Sequence, residues 1–266
     1  VGKTTLALAF ARALDLKESR VQFTPDVLPS DLVGFSVYQK ETGKFVYHAG
    51  AVMCNLFLGD EINRTSSKTQ SALLEVMEEG RVTVDGETHT VPAPFVVIAT
   101  ENPVGSSGTQ LLPESQLDRF MVKLSMGYPS MEEEMRLIKE RQDINPLDFI
   151  EEIITKQELL KMQDEVKQIH VDDKVLKYLS QIVDGTRNHS MITLGVSPRG
   201  TLAYMDMSRA RAFVQGRNYV LPEDVQAVSV PVLAHRLLLN GKARMSHVTE
   251  ADVVEEIVKR IPTPKL

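Results

Sequence analysis

Residues 55–61 read Asn55-Leu56-Phe57-Leu58-Gly59-Asp60-Glu61, an apolar run that stops on two adjacent carboxylates. The run shows no alternation of polar and apolar residues. Both faces of a strand built from it must therefore be covered, as in the parallel sheet of an α/β fold. Working outward, residues 95–100 (FVVIAT) form a second run of the same kind, and residues 20–24 and 121–126 read as shorter strands. Residues 4–14 (TTLALAFARAL) are rich in Ala and Leu and read as a helix. Another helix is expected over residues 68–79, with Ser66 or Ser67 as N-cap and Gly80 at its end. Two hairpins interrupt this alternation. One pairs residues 35–39 with 44–48 around Glu41-Thr42-Gly43, and the other turns on Asp85-Gly86, a type I′ signal.

After Asn145-Pro146 the pattern changes to successive helical periods. Thr155 with Glu158, Ser197-Pro198, Pro222 and Thr249 mark helix starts, and Val175, Leu176, Leu179, Ile182 and Val183 form one apolar stripe. The expected architecture is an α/β domain over residues 1–145 followed by an all-helical domain over residues 146–266.

At 42% hydrophobic and 25% charged residues, the composition is that of a globular protein. The net charge of −6, with no basic stripe in either part, counts against nucleic acid as the main partner. No apolar run approaches the ~20 residues of a membrane span. With no secretory signal at its start, the chain is expected in the cytoplasm. Cys54 is the single cysteine, which excludes an intramolecular disulfide, and it reads as a small buried hydrophobe. The six histidines show no metal-ligand spacing.

The opening residues Val1-Gly2-Lys3-Thr4-Thr5 match the second half of a P-loop. In such a loop backbone amides wrap the phosphates, the lysine reaches their outer oxygens and the hydroxyl ligates Mg²⁺. The first glycine and its strand would precede residue 1, so the chain is expected to be a piece of a longer protein. The run at residues 55–61 supplies the partner motif. A buried strand beside the loop delivers Asp60 to the metal shell and Glu61 to the attacking water. The plain alternative is a core strand with a solvated acidic end. Asn102, just beyond the second buried run, is placed to hydrogen-bond water or phosphate, or else is a turn residue before Pro103.

Several stretches together are similar to the MoxR family of AAA+ ATPases, in family order along nearly the whole chain. They are Asp60-Glu61-Ile62-Asn63-Arg64, residues 68–75 and 77–84, Ala99-Thr100-Glu101-Asn102-Pro103, residues 112–120 and Ser197-Pro198-Arg199. The resemblance implies a P-loop AAA+ domain with a parallel sheet and a helical lid, binding ATP with Mg²⁺. By position it implies Gly2, Lys3, Thr4 and Thr5 for Walker A and Asp60 and Glu61 for Walker B. It further implies Asn102 as sensor 1, Arg119 as arginine finger and Arg199 as sensor 2, with Thr4 and Asp60 on the metal. The two arginines also have ordinary readings. Arg119 could pair with Asp118 or Glu114, and Arg199, in the first turn of a helix capped by Ser197, could serve that cap alone. Arg64 reads as structural. The two hairpins resemble those of the helix-2-insert group, where they face the ring axis or pore.

The resemblance implies a hexameric ring of identical subunits. It also implies chaperone-like remodelling or maturation of a partner that carries a von Willebrand factor A domain. Two other classes stand beside this: the motor subunit of a chelatase or nucleic-acid machine, and a nucleotide-binding scaffold that does not turn over.

Overall fold

The computed structural model describes residues 2–101, 112–140 and 146–265. In chain order the first elements are α1 (Lys3–Ala13), β1 (Glu18–Gln22), α2 (Pro29–Val33), β2 (Gly34–Gln39), β3 (Lys44–Ala49) and β4 (Leu56–Asp60). Next come α3 (Ser67–Glu79), β5 (Arg81–Val84), β6 (Glu87–Thr90), β7 (Val96–Ala99), α4 (Glu114–Leu117) and α5 (Met131–Glu140). The rest are α6 (Lys156–Lys167), α7 (Asp173–Arg187), β8 (Ile192–Leu194), α8 (Pro198–Val214), α9 (Pro222–Leu233), β9 (Leu238–Leu239), α10 (Gly241–Met245) and α11 (Glu250–Arg260). Two compact units result, one of residues 1–111 and 126–160 and one of residues 112–125 and 161–266. The sequence reading places a single break near residue 145. The fold instead groups residues 112–125 with the helical unit and carries the first unit on to residue 160.

In the first unit β1, β4 and β7 form a parallel sheet in the order β1-β4-β7. β4 is the middle strand and all five of its residues are buried, as the unbroken apolar run requires. α1 closes one face of the sheet. Its small side chains Ala7 and Ala11 pack against Leu56 and Leu58, so the helix approaches closely. Gly59 answers a similar constraint, because a Cβ there would come within 3.0 Å of both Phe23 and Ile62. The buried Asn55 anchors the start of β4: its amide donates to the carbonyls of Pro92 and Pro94, and its oxygen accepts from the Lys17 N–H. Cys54 is fully buried, and burial pushes its thiol up to about 11.

Both expected hairpins are present. β2 and β3 pair antiparallel from Gly34↔Ala49 to Gln39↔Lys44. Gly34 is left-handed, and any Cβ there would fall 2.3 Å from the His48 carbonyl oxygen. β5 and β6 turn through Asp85 and Gly86, both with positive φ, as a type I′ turn demands. The rings of Tyr47 and His89 stack 3.8 Å apart and join the two hairpins. The Tyr47 hydroxyl donates to the Val33 carbonyl at 2.6 Å.

The second unit is built on α7, α8, α9 and α11 around Tyr178, Ile182, Tyr204, Val225, Leu233 and Ile257. The one polar group of Tyr204 is satisfied by the Val225 carbonyl at 2.8 Å. Asp172, Ser197 and Thr249 cap α7, α8 and α11 through their side-chain oxygens. Two expectations change here. The unit is helical but carries a short antiparallel ribbon, β8 with β9, which runs of three and two residues do not announce. Residues 121–126 are not a strand. They find no ladder partner among the described residues, and the Lys123 N–H instead donates to the Pro231 carbonyl.

Candidate functional site

The carboxylates that end β4 are held by their neighbours in the sheet. Asp60 is 5% exposed. Its Oδ2 accepts from Arg20 Nε on β1 at 2.7 Å and from Thr4 Oγ1 on α1 at 3.5 Å. Its Oδ1 accepts from Thr100 Oγ1 at 3.3 Å. Parallel register explains the last contact: Gly59 pairs with Ala99, so the next residue on each strand stands side by side. Glu61 then leaves the strand in a left-handed conformation, φ 58° and ψ 49°. Such a backbone costs a non-glycine residue about 1–3 kcal/mol and persists only where the surroundings hold it. Here the Glu61 N–H donates to Thr100 Oγ1 at 3.0 Å, and the next N–H, of Ile62, donates to the Thr100 carbonyl. The Glu61 carboxylate pairs with Arg64 at 2.7 Å.

Opposite these carboxylates begins α1. Gly2 is its N-cap, left-handed at φ 82°, and no side chain caps the helix there. The first N–H groups of a helix have no partner within it, so an uncapped start favours an anion. Lys3 Nζ lies 3.4 Å from the Glu101 carbonyl, and Thr4 Oγ1 faces Asp60 as above. Thr5 lies in the same first turn. The donor set fits the groups implied: a hydroxyl and a carboxylate are hard oxygen ligands suited to Mg²⁺, and the amides and lysine suit phosphate.

The structure thus brings Gly2, Lys3, Thr4, Thr5, Asp60 and Glu61 together in the first unit. Asn102 lies outside the described residues. Arg119 and Arg199 belong to the second unit. Arg119 follows α4 in a turn, next to Asp118. Asp118 Oδ1 accepts from Arg236 Nε at 3.0 Å and its Oδ2 from Ser197 Oγ at 2.7 Å. Arg199 is exposed in the first turn of α8, after the Ser197 cap and Pro198.

Four residues of these arrangements escaped the sequence reading. Thr100 carries a usable signal, since it follows a strand whose parallel pairing sets it beside Asp60; Arg20 sits mid-strand opposite Leu58 and reaches Asp60 only through the length of its side chain. Arg236 and His235 carry none, because nothing local distinguishes a buried basic pair from a solvated one. Burial drives the Arg236 guanidinium below its ordinary value, while Asp118 pulls it back. His235 is lowered to about 4 by burial first and by the charge of Arg236 second.

The family model of the ATPase family associated with various cellular activities (AAA) matches residues 1–122, and that of the AAA lid domain matches residues 184–257. The uncharacterised protein YeaC of Bacillus subtilis is 45% identical over 99% of this chain and 82% of its own length. Chaperone MoxR1 of Mycobacterium tuberculosis is 37% identical over the full chain and 72% of its own length. The crystal structure of a candidate ATPase from Cytophaga hutchinsonii superposes with a TM-score of 0.90 at 35% identity, covering all of this chain and 83% of that one.

Proposed function

The chain belongs to the MoxR-type AAA+ ATPases, and on that premise we propose that it hydrolyses ATP with Mg²⁺ to remodel or mature a partner protein. The observation that carries the reading is Asp60 at the end of the buried middle strand, facing the Thr4 hydroxyl across 3.5 Å, with Glu61 next to it. Gly2, Lys3 and Thr5 hold the phosphates at the start of α1, with the Lys3 ammonium on the outer oxygens. Thr4 and Asp60 hold the metal, which when bound supplies positive charge to the phosphate oxygens. Glu61 orients the attacking water and accepts its proton at the carboxylate. Asn102 assists at the same water, and Arg199 steadies bound nucleotide. Arg119 meets the charge on the γ-phosphate of a neighbouring subunit. That role requires a ring, which we take as hexameric. The partner is a von Willebrand factor A domain protein, met in the cytoplasm.

Glu61→Gln tests the assignment. It keeps the side chain's size and leaves Lys3, Thr4 and Asp60 in place, so ATP still binds. Phosphate release should fall by about 10² or more. Wild-type release by this variant removes Glu61 from the mechanism, and a wild-type chain that binds ATP without releasing phosphate is a non-hydrolysing scaffold. Mixing Arg119→Ala with Glu61→Gln subunits should restore some activity, because some interfaces then hold one intact Glu61 and one intact Arg119.

A further inference from the structure

The turn that carries Arg119 is held by one buried guanidinium. Arg236 ends the single 3-10 turn after α9, and its side chain is 2% exposed. Besides Asp118 Oδ1, it donates to the carbonyls of Asp118 at 3.2 Å, Phe120 at 2.7 Å and Met121 at 3.2 Å, and to that of Val232. Only the fixed fork of arginine reaches so many acceptors from one side chain. Three of those carbonyls flank Arg119. The Asp118 carboxylate is fastened a second time, by the Ser197 hydroxyl at 2.7 Å, and the same oxygen of Ser197 caps α8 by accepting from the Gly200 N–H at 3.1 Å. Gly200 leaves the guanidinium its space: a Cβ there would lie 2.7 Å from Arg236 Cδ and 2.9 Å from its Nε.

A buried charge is expensive to keep, and an apolar group of the same size often stabilises a fold as well or better. What an apolar side chain cannot do is fix the backbone on both sides of residue 119. We infer that Arg236, acting with Asp118, is a positioning residue for ATP hydrolysis that sets the direction in which Arg119 leaves its turn. This rests on the reading of Arg119 as the group offered to a neighbour's phosphate. A misplacement of about 1 Å at such a group costs on the order of 10²-fold in rate.

Arg236→Met strips the donor from several carbonyls and can unfold the unit, so Asp118→Asn carries the test. It keeps the shape and leaves Arg236 an acceptor, but removes the charge that aligns the fork. In rings of the full chain, with rates corrected for the folded fraction, kcat should fall roughly 10- to 100-fold while KM for ATP is unchanged. Asp118→Asn subunits should regain phosphate release when mixed with Glu61→Gln subunits, and should not when mixed with Arg119→Ala subunits, because the two share one defect. A merely structural role would lower the melting temperature without sorting in this way. Normal kcat in Asp118→Asn overturns the proposal, as does recovery on mixing with Arg119→Ala. Arg119→Ala is measured alongside: if it alone turns over ATP normally, the reading of Arg119 itself falls, a different result from failure at Asp118.

Discussion

Thr100 shows how much a single hydroxyl can hold at the end of a sheet. It donates to Asp60 Oδ1 and accepts from the Glu61 N–H, so it fixes the metal-side carboxylate and the left-handed turn together. Thr100→Val keeps the volume and the branching but deletes both bonds. The Glu61 N–H then loses its acceptor, which should cost about 1–3 kcal/mol of stability. Phosphate release should fall further than that loss explains, and Thr100→Ser should restore most of it. Denaturant unfolding and a phosphate-release assay on both variants check this; equal behaviour of Val and Ser would remove the hydroxyl from the argument. Asp60 and Glu61 are legible in the sequence because an unbroken apolar run makes a buried strand, and two carboxylates at once mark its tip. Thr100 is not, because its role depends on strand register, which no local pattern encodes. The positive φ of Glu61 is equally silent, since glutamate has no preference for that region.

Among the elements, the turn of His235 and Arg236 after α9 makes the second unit sensitive to acid. The Nε2 of His235 lies 3.0 Å from the Phe120 carbonyl and 2.7 Å from an Arg236 nitrogen, and its Nδ1 is buried with no partner. Burial and the adjacent guanidinium lower its folded value to about 4, with Lys123 acting in the same direction and Asp118 against them. In the unfolded chain the ring takes up its proton near pH 6.5. Between these values the unfolded state binds the extra proton, so stability is full above about pH 6.5 and declines as pH falls toward about 4. The loss is on the order of 2–3 kcal/mol. His235→Gln should flatten that part of the stability–pH curve, as thermal unfolding from pH 7 to pH 4 would show. An unchanged slope would place the sensitive group elsewhere. The helices of this unit are legible from their caps and apolar stripes. The β8–β9 ribbon is not, because so few residues set no period. Residues 121–126 look like a strand by composition, yet strands are made by ladder partners and not by β-branched residues alone.

At the scale of the molecule, the balance of charge bears on the choice of partner. A net charge of −6 gives phosphate backbones no general attraction, and no helix among the described residues is long and apolar enough to cross a membrane. Adding single- or double-stranded DNA should therefore leave ATP turnover unchanged. A stimulation that fades steeply with added salt would be the mark of nucleic-acid contact and would favour the motor reading. The stacked rings of Tyr47 and His89 matter on the same scale. With the Tyr47 hydroxyl moored to Val33, the stacked rings give the two hairpins a common anchor. Sliding one ring off the other forfeits about 0.5–1.5 kcal/mol. Bending one hairpin away from the other therefore carries that cost, and the two are tied more like neighbouring planks on one peg than like two loose fingers.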